Sequence, residues 1–180
     1  MSEQPDSSLP KIDPAGVDPK VVEAIVLKGI PHCGALGIRV IAIGHDGVTL
    51  SLPYNPQLVG DPASGVLHGG AVTSLIDTVG GMAVFAALQQ LQAIATLDLR
   101  IDYLKPALAQ KELYATAECY KLTRSIAFVR ARAYHPETPD DWVANCLATF
   151  MIGSSDKPPM PKGAVGNAVP KGTVKPEGAA

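Results

Sequence analysis

The stretch LHGGAVTSLIDTVGGMAVFAAL, residues 67–88, decides the fold. Its length and its content of Ala, Leu and Met predict a helix over residues 71–88. A helical repeat gathers its apolar side chains on one broad surface, which we expect to meet a sheet. The members of this surface are Val72, Leu75, Ile76, Val79, Met82, Ala83 and Ala86. The pattern indicates a long central helix that is buried in the core.

A second face of this helix is narrow and carries small and polar residues at spacings of three and four. These residues are Gly70, Thr73, Ser74, Asp77 and Gly81. Asp77 has apolar neighbours in sequence, and a carboxylate there is costly unless something satisfies it or uses it. Two interpretations are open: Asp77 bonds a nearby Ser or Thr or faces water, or it acts as a general base.

The predicted helix is preceded by His68, Gly69 and Gly70. Backbone N–H groups at a helix N-terminus point outwards, and the helix dipole favours negative charge there. Because glycine has no Cβ, a ligand can approach these N–H groups closely. The motif is therefore a candidate oxyanion hole for acyl transfer, although Gly-Gly at this position also occurs in a simple turn.

Six strands are predicted around the helix from alternating apolar residues. Two form a hairpin before the helix and four follow it, at residues 36–43, 48–53, 95–103, 112–122, 125–134 and 142–153. A shorter helix is expected over residues 19–30, with Asp18 as its N-cap and Pro31 as its stop. Residues 54–67 are expected to form an irregular loop. The expected fold class is α+β, a curved six-stranded antiparallel sheet wrapped around one long central helix.

The composition is that of a globular domain, with 47% hydrophobic and 18% charged residues. Residues 1–18 are expected to form a flexible N-terminal arm, residues 19–153 the working domain, and residues 154–180 a disordered tail. The formal net charge of −2 gives no basic excess. Neither nucleic acid nor an anionic membrane is therefore an expected partner.

The cysteines argue against a disulfide framework or a metal site. Cys33, Cys119 and Cys146 are far apart in sequence and are expected to be reduced thiols in a cytoplasmic protein. Residues 1–10 show no secretory signal, and the apolar stretch 79–91 is too short and too mixed to span a bilayer. We expect no metal ion and no membrane association.

Several motifs occur together in the order of a known family. They are His68-Gly69-Gly70 before Asp77 in an apolar helix, Thr96-Leu97-Asp98-Leu99 leading to Tyr103-Leu104-Lys105-Pro106, Arg124-Ser125 opening a strand, and Ala148-Thr149-Phe150 closing the last one. Over roughly residues 37–153 the chain resembles the hotdog-fold acyl-CoA thioesterases of the phenylacetate-degradation (PaaI-like) branch. The resemblance implies hydrolysis of an acyl-CoA thioester to free acid and CoA. It implies no cofactor, since coenzyme A is part of the substrate.

The resemblance also implies roles for single residues. Asp77 would activate water or attack the thioester itself, and Gly69 would donate its backbone N–H to the carbonyl oxygen. His68 would hold the loop, and Thr96 stands where the family often has a Ser or Thr that orients the water. The family often has Asn-Pro before the His, whereas this chain has Asp61 followed by proline at a slightly different spacing.

The substrate contacts are expected to come from both sides of the helix entrance and from a later turn. The residues expected to bind substrate or CoA are Gly70, Asp61, Ser64, Gly81, Arg124 and Ser125. Arg130 and Arg132 share one face of a strand, where they could hold phosphates or simply form a solvated sheet face.

The site is expected to need two chains. The helical rise separates Gly69 from Asp77 by about 12 Å, which is too far for one thioester carbonyl to contact both. Two antiparallel copies of the helix, related by a two-fold axis, would bring Gly69 of one chain beside Asp77 of the other. We therefore expect a homodimer that can pair further into a tetramer.

Two other functions stay open. One is a hotdog acyl-CoA hydratase or dehydratase. Such enzymes usually have an Asp or Asn and a His together in one loop, and Asp61 and His68 resemble that arrangement weakly. The other is a non-catalytic acyl-CoA-binding module, against which the carboxylate of Asp77 argues.

Overall fold

The computed structural model of the chain describes residues 13–24, 29–90 and 92–153. The predicted C-terminal tail and residues 1–12 of the predicted arm lie outside these described residues.

Eight strands form in the described part of the chain, and alternating apolar residues build the six long ones. They are β1 Arg39–Gly44, β2 Gly47–Leu52, β3 Val59–Asp61, β4 Val66–Leu67, β5 Ile94–Tyr103, β6 Leu113–Leu122, β7 Ile126–Tyr134 and β8 Trp142–Ile152. Six of them form one antiparallel sheet in the order β1-β2-β6-β7-β8-β5, so β1 and β5 are its edges. Strands β3 and β4 pair only with each other.

Helices precede and cross this sheet: α1 Pro19–Val22, α2 Pro31–Leu36 and α3 Gly69–Leu88. The long helix α3 packs mainly on β2, β6 and β7. All seven side chains predicted for its apolar surface are buried. Full burial of a Leu, Ile or Val side chain stabilises a fold by about 1.5–3 kcal/mol, so this surface supplies a large part of the core. The predicted fold class is confirmed.

The apolar character of α3 also meets the length and composition criteria of a membrane span. Most of the helix is buried within the fold, however, and a core helix satisfies the same criteria. We therefore interpret α3 as the core helix of this domain.

The described residues include the first predicted helix, residues 19–30, only at its two ends. Asp18 does cap α1, since its side chain accepts the N–H of Lys20 at 2.9 Å, but residues 25–28 lie outside the described residues. Pro31, predicted to be a stop, is the first residue of α2, because proline lacks only an N–H that a first helical turn leaves unpaired. Gly37, at a φ of 71°, ends α2 in the left-handed conformation.

Candidate active site

His68 begins α3 as its N-cap residue. Its Nδ1 accepts the N–H of Gly70 at 2.9 Å, and its carbonyl accepts the N–H of Ala71 at 3.0 Å. An imidazole that accepts at Nδ1 carries its proton on Nε2, so this cap requires the neutral ring. The role predicted for His68, holding the loop at the helix entrance, agrees with these contacts.

The β3–β4 hairpin contacts the backbone of His68. The sequence predicted an irregular loop in this part of the chain. The His68 N–H donates to Leu58 O at 2.8 Å, and Gly60 lies so close to His68 that a Cβ on it would meet His68 Cα at 2.9 Å. These two strands have only three and two residues, too few to show alternation in a sequence.

Asp61 and Ser64, both predicted to bind substrate, bind each other in the turn of this hairpin. The Asp61 carboxylate accepts the Ser64 hydroxyl and the N–H groups of Ala63 and Ser64. The Ser64 hydroxyl, and after it the Ala63 N–H, lowers the pKa of the Asp61 carboxyl from its ordinary value. The contacts of Asp61 are those of a turn-forming residue.

Gly69 is the first residue of α3, and none of the described residues accepts a hydrogen bond from its N–H. Its φ is not positive, so backbone conformation does not require glycine here. A Cβ on Gly69 would lie 3.3 Å from the hydroxyl oxygen of Tyr103, a tight contact, and 3.5 Å from its Cζ, an ordinary one. The Gly69 N–H is thus open, and a side chain on this residue would press on the Tyr103 hydroxyl.

Two hydroxyl groups bind the carbonyl of Gly69. Tyr103 donates to it at 2.8 Å and Thr73 at 3.0 Å, and the two hydroxyl oxygens are 2.8 Å apart. Sequence reasoning placed Tyr103 in a strand motif but missed this contact.

A β-bulge in β5 explains why the contact is hard to foresee. The register of β5 against β8 shifts between Thr96 and Asp98, so Leu97 is the extra residue. Thr96 pairs with Phe150 and Tyr103 with Ala144, both buried residues on the helix side of β8. The bulge therefore turns both Thr96 and Tyr103 towards α3, although simple alternation would place them on opposite faces.

Asp77 is half-buried in α3 and its Oδ1 accepts the hydroxyl of Thr96 at 2.8 Å. One oxygen is thus satisfied by a threonine, as the first interpretation of Asp77 required. The Thr96 hydroxyl has one proton, so Oδ2 can accept a different donor, as general-base catalysis would require. The resemblance implied that Thr96 orients the water, and the structure places its hydroxyl on the carboxylate of Asp77.

Comparisons with known proteins agree with this geometry. The sequence profile of the Thioesterase superfamily matches residues 64–140. A Pseudomonas aeruginosa protein of known crystal structure is 42% identical, with a TM-score of 0.64 and coverage of 69% of this chain and 92% of that chain. The chain belongs to the thioesterase superfamily.

Two Escherichia coli proteins extend this thioesterase comparison. The medium/long-chain acyl-CoA thioesterase YigI is 26% identical over 147 residues, which cover 74% of this chain and 93% of YigI. The PaaI protein from the phenylacetic acid degradation operon is 21% identical, with a TM-score of 0.64 over 75% of this chain and 93% of PaaI, and shares the fold. The predicted family and the predicted class of thioester hydrolase are confirmed.

The small face of α3 in this thioesterase is more covered than its composition suggests. The Ser74 hydroxyl lies 3.2 Å from His32 Nε2 of α2, and Thr78 contacts Cys33 of the same helix. Gly81 faces the sheet of its own chain, where a Cβ would lie 3.4 Å from Ile94. In the two-fold arrangement expected from the sequence, the small residues Gly70, Ser74 and Gly81 allow the second helix to approach, and α2 and β5 of the same chain contact this face at Ser74 and Gly81.

The basic residues of the thioesterase lie on the sheet and its turns. Arg124 and Ser125 occupy the β6–β7 turn, and Ser125 O accepts the N–H of Ile152 at 2.8 Å, near the start of β5. Arg130 pairs with Glu118, and the Arg132 guanidinium lies 5.3 Å from the centroid of the Trp142 ring. Both arginines are exposed on the sheet face away from α3, which agrees with the solvated-face interpretation.

Metal-binding side chains do not cluster in the described residues. No group of three or more His, Cys, Asp or Glu side chains within them could hold a metal ion.

Proposed function

We propose that this thioesterase hydrolyses acyl-CoA thioesters to free acid and CoA at a site shared by two chains. The observation that carries the proposal is the pairing, on one helix, of a carboxylate held by a threonine with an open N–H at the helix entrance. Asp77 is bound by Thr96 at 2.8 Å, and the Gly69 N–H has no acceptor among the described residues.

The proposed reaction is a balanced hydrolysis. Asp77 Oδ2 takes a proton from water as the water oxygen attacks the thioester carbonyl carbon, and the resulting oxyanion accepts the Gly69 N–H. Collapse of the tetrahedral intermediate breaks the C–S bond, and the CoA thiolate takes the proton back from Asp77. Thr96 keeps Oδ1 occupied, which fixes the direction of Oδ2.

Direct attack by Asp77 is the alternative chemical route. It would form an acyl anhydride with the Asp77 carboxylate, which water then cleaves. A single turnover in H₂¹⁸O detects the anhydride route when water attacks the Asp77 carbonyl carbon, because ¹⁸O then enters the Asp77 carboxylate and an unlabelled oxygen of Asp77 leaves with the product. The water route, like anhydride cleavage at the acyl carbon, places ¹⁸O in the product alone, so label in Asp77 proves the anhydride.

The acyl group is proposed from the relatives. YigI is named for medium- and long-chain acyl-CoA, and this supports testing those chain lengths first. An acyl-CoA panel with a thiol reagent for released CoA tests the proposal; absence of turnover across short, medium and long chains would refute it. Release of CoA also excludes a binding module.

A hydratase receives no support from the loop that suggested it. The Asp61 carboxylate is used within its own turn, and His68 Nδ1 caps α3. These two side chains are therefore not arranged as the acid–base pair that hydration would need.

A homodimer is the proposed working unit, with pairing of dimers into a tetramer as its extension. The edge strand β5 supports it, since Leu97 is 55% exposed and Tyr103 is 51% exposed. We further propose a cytoplasmic location and neither nucleic-acid nor membrane partners, which the three free cysteines and the net charge support.

Asp77→Asn tests the catalytic assignment. Asparagine is nearly isosteric and can still accept the Thr96 hydroxyl, so the fold should persist while kcat falls by about a hundredfold or more, as for a lost general base. Asp98→Asn is the matched control, because Asp98 is an exposed acid on the same strand as Thr96. Steady-state kinetics that leave Asp77→Asn at full activity would remove this residue from the reaction.

A further inference from the structure

We infer that Tyr103 and Thr73 are positioning residues that hold the Gly69 N–H in the direction the reaction needs. Their two hydroxyl groups, together with the Gly69 carbonyl, form what we call the Gly69 clamp. The inference rests on the proposed function, because it concerns the oxyanion donor of that reaction.

The clamp fixes one of the two peptide planes beside Gly69. On the 69–70 peptide, the carbonyl accepts Tyr103 at 2.8 Å and Thr73 at 3.0 Å, and the N–H donates to His68 Nδ1 at 2.9 Å. Both ends of this peptide are therefore held by side chains.

The other plane is fixed by the helix. On the 68–69 peptide, the His68 carbonyl accepts the N–H groups of Ala71 and Val72 at 3.0 and 3.4 Å. The remaining polar group of these two peptides is the Gly69 N–H. Its direction depends on the two backbone torsions of a glycine, which has the widest conformational freedom of any residue. Restraining the planes on both sides removes that freedom.

The contacts of Tyr103 indicate a role beyond packing. Its side chain is only half covered, since Tyr103 is 51% exposed, yet its hydroxyl reaches the backbone of the helix entrance from the far end of β5. A Cβ on Gly69 would lie 3.3 Å from this hydroxyl, a tight contact, so a side chain on Gly69 would disturb the hydroxyl from the other end of the contact. Strand β5 thus contacts both halves of the proposed machinery, Asp77 through Thr96 and Gly69 through Tyr103.

Tyr103→Phe is the first test, because it removes one hydroxyl and keeps the ring. We expect kcat to fall about fivefold to tenfold with KM unchanged, since a donor misdirected in the transition state affects kcat alone, and Tm to fall by no more than one lost hydrogen bond accounts for. Tyr120→Phe is the matched control: Tyr120 is 52% exposed on β6 and should keep wild-type kinetics. A wild-type kcat in Tyr103→Phe, or a loss that lies in KM instead of kcat, would overturn the clamp.

Thr73→Val gives an independent test of the shared carbonyl. If both hydroxyls act on one group, the double variant should show a loss in kcat that differs from the product of the single losses. A simple product would mean that the two residues act separately, which contradicts the clamp.

The clamp can also be measured without substrate. The ¹³C resonance of the Gly69 carbonyl should move upfield in Tyr103→Phe and stay in place in Tyr120→Phe. A wild-type enzyme that hydrolyses no acyl-CoA would refute the proposed function, and this resonance would then decide the clamp by itself. An unchanged Gly69 resonance would overturn it.

Discussion

Cys146 links the core of the sheet to the charges of the proposed site. It lies on the helix side of β8 with 1% of its surface exposed. Burial, and after it the negative charges of Asp77, Asp98 and Asp102, raises the pKa of the Cys146 thiol to about 11. At neutral pH this residue is therefore a thiol and takes no part as a nucleophile.

The raised pKa predicts a loss of stability at high pH. The unfolded thiol ionises near its ordinary pKa of about 8.5, whereas the folded thiol keeps its proton until about pH 11. The stabilisation is complete below that ordinary value and is lost as the pH rises towards 11. Cys146→Ala should lower Tm at every pH but show a flatter decline between pH 9 and 11, by thermal melts. Parallel declines in both proteins would contradict the assignment.

Among single residues, the sequence predicted those proposed for catalysis better than the residues that contact them. Asp77 could be identified because an acid inside an apolar helix is unusual in itself, and Thr96 because it stands where the family that the chain resembles often has a Ser or Thr. Tyr103 could not, because its contact with Gly69 depends on a bulge that has no distinct sequence signature. The turn contacts of Asp61 were not predicted, although an exposed acid next to proline is also typical of a turn.

Among the elements, the entrance of α3 depends on an uncommon cap. Serine, threonine, aspartate and asparagine are the usual N-caps, and here His68 supplies Nδ1 as the acceptor. The cap therefore depends on an acceptor atom at the position of Nδ1.

Two substitutions of His68 separate the cap from other roles. In His68→Asn, the amide oxygen can replace Nδ1, so we expect kcat within about threefold of wild type and little change in Tm. In His68→Ala the acceptor is lost, which should cost about 1 kcal/mol of stability and lower kcat by about tenfold. Thermal melts and kinetics of the pair check this. Equal, severe losses in both variants would mean that the imidazole does more than cap the helix.

The sequence predicts the bounds of an element well where its repeat of apolar residues is long, and poorly where the repeat is short or interrupted. Helix α3 and the four strands after it were predicted within one or two residues because their repeats are long. Helix α2 was missed because Pro31 fits the start of a helix as well as an interruption. The β3–β4 hairpin was missed because backbone contacts, not side-chain alternation, define it.

For the whole molecule, the decisive question is whether one chain suffices. The helical rise puts Gly69 and Asp77 about 12 Å apart along α3, and no bend of a continuous helix shortens this to hydrogen-bond length. Helix α2 already covers Ser74 and Thr78, so a second chain must approach from the side of Gly69, Thr73 and Asp77.

Complementation between two inactive chains tests the shared site. Gly69→Val should displace the donor because its branched side chain meets the Tyr103 ring, and Asp77→Asn removes the acid. After random subunit exchange, half of the dimers are mixed and each has one intact site, so about a quarter of wild-type activity should return.

Heterodimer formation must be shown in the same sample, for example by two affinity tags. Mixed dimers without activity would refute the proposal that each site is shared between two chains. Mixing each variant with a double variant is the control, because no dimer then contains an intact site.

The bulge at Leu97 puts Thr96 and Tyr103 on the same face of β5. Because β5 contains one extra residue, Thr96 and Tyr103 are an odd number of positions apart and still both face α3. A relative whose corresponding strand is regular must separate the equivalent residues by an even number to achieve the same geometry. Deleting Leu97 from this chain would leave Thr96 and Tyr103 six positions apart in a regular strand, so both hydroxyls should stay on the helix side and keep their contacts with Asp77 and Gly69.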